Sequence, residues 1–205
     1  MQGLEGSREL GVGRPAATQR RWVFEHTVEG LFRFSLRSRL SLQAWNGLKA
    51  VGIDLSKPLR PAYSDETWKR ALELTVADLY PRLPREEGWR RLGQEVVHGL
   101  VHTVMGRAMV GVARLLGPLR SLRRLNNTLR SADNYVESRL TELSPTACEV
   151  WINEVMGQPT YYQGILEACL ALAGGQRARV RVVAREGLGA RLHVEWEEET
   201  AGRVR

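Results

Sequence analysis

The chain is poor in the patterns that mark an enzyme, a metal site or a membrane segment. It contains no nucleophile elbow, no Gly-rich phosphate loop and no paired carboxylates at a plausible site, so no catalytic residues are expected. Cysteine is scarce: Cys148 and Cys169 are the only two, and both fall inside predicted elements in apolar company. Reduced thiols and a cytoplasmic protein are expected from them, and from first residues that lack the apolar stretch of a signal peptide. No run approaches the roughly twenty apolar residues of a membrane span. The longest candidate, 96 to 116, is interrupted by His98, His102, Arg107 and Arg114. Lysine is confined to Lys49, Lys57 and Lys69, so the net charge of +7 is an arginine charge spread among acids. Such a balance favours weak, non-specific association, and no nucleic-acid partner is expected.

What is present reads as an α+β chain. Residues 1 to 20 hold glycine, proline and mixed charge without periodicity, and a disordered lead-in is expected there. A single α+β domain is expected over 21 to 197, long enough at 43% hydrophobic content for one core, with a flexible tail from 198 to 205. Val28 to Leu36 carries apolar residues on both phases, so a short strand and a helical turn stay open. A helix is predicted from Leu40 to Val51, followed by a loop that returns to the core through Ile53 and Leu55. Ser64 is placed to cap the next helix, where Asp65 and Glu66 suit the positive end of the dipole. The longest predicted helix runs from Pro84 to Leu116 and is apolar nearly all round, hence central and buried. Gly93, Gly99, Gly106 and Gly111 within it each cost about 1 kcal/mol against alanine, which points to a close backbone neighbour or a ligand. A last helix is predicted from Leu119 to Leu129.

The second half alternates. Tyr135 to Leu140 and Cys148 to Asn153 have period two, with Cys148, Val150 and Ile152 on one face. Tyr161 to Ala173 is a helix stopped by Gly174 and Gly175, and alternation resumes at Val180 to Val182 and Leu192 to Trp196, around a turn at Gly187 to Gly189. The expected architecture is a helical layer packed on a four-stranded antiparallel sheet, with a C-terminal β-β-α-β-β unit.

The runs GIDLSKPLRPAYSDETWKRAL at 52 to 72, LYPRLPREEGWRRLGQEVVHGLVHTVMGRAMVGVARLLGP at 79 to 118, ADNYVESRLTEL at 132 to 143 and YYQGILEACLALAGG at 161 to 175 resemble a paralogous myxobacterial family of unknown function. The resemblance covers about 26 to 197. That family is distantly similar to the superfamily of the haem nitric-oxide-binding domains, the vinyl reductase-type ligand-binding domains and the Bet3-like subunits of the TRAPP tethering complex. The resemblance implies a non-enzymatic small-ligand sensor or protein-interaction module in signalling. A scaffold or tethering subunit without ligand, or a haem-based gas sensor, are the alternatives. It implies a small apolar ligand or a protein partner, a homodimer included, and leaves the cofactor unknown.

The ligand-binding candidates are His98, His102, Tyr135 and Trp151, expected around a pocket between the glycine-rich helix and the sheet. His98 and His102 stand at i and i+4 and would share a helix face, yet no further ligand supports a metal. The haem relatives hold propionates through Tyr-x-Ser-x-Arg; here Tyr135, Glu137 and Arg139 stand at those positions, and Glu137 would repel a propionate. Cys169 admits an acyl reading by the same resemblance, against an ordinary packing thiol.

Overall fold

The computed structural model describes residues 20–197, so the two terminal segments expected to be flexible lie outside the described residues. Among the described residues an antiparallel four-stranded sheet has the order β3-β4-β6-β5, formed by β3 (Ser138–Ser144), β4 (Ala147–Ile152), β5 (Gln176–Glu186) and β6 (Gly189–Glu197). The alternation of the sequence is its cause. Cys148, Val150 and Ile152 of β4 pair with Val194, Leu192 and Ala190 of β6, and all six are fully buried. Glu149 and Trp151 lie on the other, half-buried face. The helix between the two hairpins, α7 (Pro159–Leu172), packs on this sheet, and Pro159 at its first turn loses no hydrogen bond that a helix would supply.

The N-terminal half is helical, and it opens with a feature the periodicity does not reveal. Strand β1 (Trp22–Phe24) pairs with β2 (Ala62–Ser64), burying Val23 against Tyr63. The segment left open by its two-phase pattern is helical: α1 (Glu25–Glu29) runs into a π-helical stretch, Gly30–Ser35, which buries Leu31 and Phe32. α2 (Leu42–Ala50) starts at Ser41, whose hydroxyl accepts from the Ala44 N–H. α3 (Asp65–Leu79) is capped by Ser64 as its sequence predicts, through the Thr67 N–H. Ile53 is fully buried after the loop.

The long central helix is two helices. α4 (Arg85–Leu100) ends where Val101, His102 and Thr103 turn the chain, and α5 (Val104–Arg123) leaves at 99° to it. Thr103 adopts an extended backbone, its hydroxyl donates to the Leu100 carbonyl at 2.7 Å, and the same oxygen accepts from the Gly106 N–H at 3.0 Å. A threonine that caps a new helix outcompetes continuation of the old one. α4 is buried along Trp89, Leu92, Val96 and Val97, whereas α5 is an outer helix. α5 is itself broken at Gly117, whose φ of 75° leaves the helical region ahead of Pro118. The predicted last helix is therefore divided between the end of α5 and α6 (Leu125–Ala132).

Candidate functional site

Two glycines position the deepest helix pair. A Cβ at Gly93 of α4 would run into the Tyr161 carbonyl of α7, and a Cβ at Gly164 of α7 would run into the Arg90 carbonyl of α4. The backbones thus touch where only hydrogen fits. Beside this crossing Arg90 Nε donates to both carboxylate oxygens of Glu167, at 3.1 and 2.9 Å. Gln94 and Gln163 donate to the same carboxylate at 2.9 and 3.2 Å. Four donor contacts saturate a largely buried acid and fix α4 against α7 in rotation as well as separation.

Toward the carboxyl end of α4 a cavity of about 140 Å³ lies among α4, α5, α6 and α7. α4 contributes Val96, Val97 and Leu100; α7 contributes Ile165, Cys169 and Leu172. The opposite wall comes from Met109, Val110 and Ala113 of α5 and from Leu125 and Leu129 of α6. No lining residue carries a charge, and the only polar side chains are the hydroxyls of Thr27, Ser121 and Thr128 and the Cys169 thiol. Burial pushes that thiol up to about 12, so Cys169 is a neutral group at physiological pH. Such a site attracts neutral apolar matter and repels ions.

The wall residues of α5 follow a helical spacing, Gly106, Met109, Val110 and Ala113, and those of α6 do likewise, Leu125, Thr128, Leu129 and Ala132. Both series are visible in the sequence. They were unreadable as a site because a helix taken as continuous and apolar all round has no assignable inner face. The glycines separate in the same way: Gly99 meets the Gly30 carbonyl and Gly106 the Leu100 carbonyl, but Gly111 faces open space.

None of the four ligand candidates lines this cavity. His98, in the last turn of α4, and His102, in the turn after it, are both exposed; the break at Leu100 removes the shared helix face, and His102 packs its ring 6.2 Å from Phe34. Tyr135 precedes β3 instead of lying on it, with the Arg21 guanidinium 5.5 Å from its ring centre. Burial and the nearby Asp133 raise its phenol well above the ordinary range. Trp151 stands on the half-buried face of β4 with Arg139 stacked 5.1 Å over it. Tyr135 and Arg139 therefore do not share one strand face. The cavity also lies among helices rather than between a helix and the sheet, because α4 and α7 fill that interval with their crossing.

The architecture, helices over an antiparallel four-stranded sheet, defines a fold class found in solved haem proteins. The chain is similar to a protein studied for modulation of haem redox potential through porphyrin distortion, with a TM-score of 0.62 at 14% identity over 83% of this chain and 97% of that one. It is similar to an Fe(II) unliganded H-NOX protein mutant from K. algicida, TM-score 0.61 at 7% identity, covering 85% and 97%. An oxygen-binding H-NOX domain related to soluble guanylate cyclases gives 0.55 at 14%, covering 84% and 92%. These likenesses show the fold. Residues 21–197 match the family described as Protein of unknown function (DUF2378), and the chain belongs to it. No curated protein is similar enough to match.

The fold raises haem, and the cavity does not fit it. No imidazole and no cation lines it, so neither an axial histidine nor a propionate partner is in place. Cys169 is held as a thiol, and a haem thiolate would need its proton removed. The volume settles the matter of size: a cavity near 150 Å³ accommodates roughly a benzene molecule, and a tetrapyrrole is several times larger. Among the described residues no group of three or more His, Cys, Asp or Glu side chains is placed to hold a metal ion.

Proposed function

We propose that this protein is a non-enzymatic sensor of a small, neutral, apolar molecule, which binds without haem among α4, α5, α6 and α7. One observation carries this reading: a cavity of about 140 Å³ whose lining holds twenty-one residues and no charged side chain. The ligand-sensing class is supported by the solved neighbours, described as H-NOX proteins that include an oxygen-binding one. Residues 21–197 act as one folded unit in this reading, the span matched by the family. The two free cysteines, one buried on β4 and one facing the cavity, suit the reducing cytoplasm. His98, His102, Tyr135 and Trp151 lie outside the cavity lining.

Native purification followed by an absorption spectrum and mass spectrometry of co-purifying small molecules tests the reading. A colourless protein that carries or takes up a neutral apolar compound, and shows no Soret band after haem titration, is expected. Stoichiometric haem uptake would overturn it.

A further inference from the structure

The outer face of α5 is as unusual as its inner one. Val104 and Leu115 are 81% and 87% exposed, and Met105 and Val112 are about half exposed. With Ala108 and Gly111, also exposed, these positions form one stripe along the helix, opposite the stripe that lines the cavity. Arg107 and Arg114, two turns apart, flank it on one side. Both broad faces of this helix are apolar, and one of them meets solvent.

Along this stretch of the chain the charge has a single sign. Between Glu95 and Asp133 the chain has no acidic residue and six arginines: Arg107, Arg114, Arg120, Arg123, Arg124 and Arg130. Arg123 pairs with Glu142 and Arg130 with Glu137. The other four make no ion pair among the described residues. A second copy is a poor occupant for such a face, since two α5 helices packed antiparallel and stripe to stripe would bring Arg107 and Arg114 of both copies to one side of the seam with no acid between them.

An apolar stripe edged by arginine is the composition of a helix that lies in a membrane interface, with its side chains in the acyl boundary and its guanidinium groups at phosphate level. Spanning is not open to it. α4 and α5 together have the length and composition of a span, but they meet at 99° and the apolar side of α4 is committed to the core. We propose that the outer face of α5 docks this protein onto an anionic lipid bilayer through Val104, Met105, Val112 and Leu115, with Arg107 and Arg114 at the headgroups. The docking stands apart from the ligand reading and does not require it.

The test is co-sedimentation of the full chain with vesicles of phosphatidylcholine alone and with vesicles that also contain phosphatidylglycerol. Binding is expected to the second kind only and to weaken as ionic strength rises. Arg107→Gln with Arg114→Gln should reduce it roughly tenfold to thirtyfold. Leu115→Glu should abolish it, while Leu143→Glu, at an exposed apolar position on β3, should leave it unchanged; unaltered thermal midpoints keep both comparisons valid. Equal binding to both vesicle types, absence of binding, or indifference to Leu115→Glu would overturn the proposal. So would a lipid-independent dimer that Leu115→Glu dissociates.

Discussion

The wall made by α4 and α7 and the wall made by α5 and α6 enclose one cavity and are held by different physics. The first is a backbone-to-backbone crossing at Gly93 and Gly164, locked by the Arg90, Gln94 and Gln163 donors on Glu167. The second rests on side-chain contacts of a helix that breaks at Gly117 and exposes Val104, Met105, Val112 and Leu115 to solvent. A wall without tolerance beside a wall with some is the arrangement in which a small guest can be admitted without disturbing the core.

The difference can be broken at its strong end. Gly164→Leu forces a side chain against the Arg90 carbonyl, and neither helix can retreat without losing the Glu167 network. The expected loss is about 3 kcal/mol or more, read as a collapse of the denaturant midpoint. A loss below about 1 kcal/mol would show that the crossing is not tight. Gly106→Leu probes the other wall: its Cβ meets the Leu100 carbonyl, but the clash is with the turn that starts α5 and not with the core seam. A smaller loss of about 1–3 kcal/mol is expected in urea unfolding. Equal losses for the two variants would erase the contrast.

Acid sharpens the comparison, because a buried carboxyl closes the turn that leads from α6 to β3. Asp133 follows α6, is 8% exposed and accepts from the Tyr135 and Val136 N–H groups. Burial pushes it from the ordinary 3.8 to about 6, against those two donors and Arg130. The native state therefore holds this proton more tightly than the unfolded chain. Its stabilising contribution is complete below the ordinary value and is lost as pH rises through the native one. Glu87 and Glu142, lowered by their arginine partners, change in the opposite sense as pH falls, so the comparison must be with a variant. The stability of the natural chain relative to Asp133→Asn should grow by about 1–2 kcal/mol as pH falls from about 6 to about 4. A pH-independent difference would place the carboxyl in contact with water.

Much of the sheet, of α7 and of the helix capping was legible in the sequence, and the reason is periodicity. The Cys148, Val150 and Ile152 face, the Gly174-Gly175 stop and the Ser64 cap are local signals that agree with the tertiary structure. The α5 and α6 wall resists the same reading. A capping threonine inside an apolar run bends the chain at Thr103 with no proline or long loop to announce it, and the phase of everything after it follows from that bend. The histidine pair showed the cost: His98 and His102 share a face only on a helix that continues past Leu100. The β1–β2 pair leaves no sequence signal, because three-residue strands have too little alternation to count.

Ligand uptake without haem is tested most directly by the thermal midpoint with and without benzene, measured on the natural chain and on Ala113→Phe, which extends a side chain from the α5 wall into the cavity. At near-saturating benzene the natural chain should melt roughly 2–5 °C higher, and the variant should not respond. An unresponsive natural chain, or equal shifts in both proteins, would contradict a binding cavity among these four helices.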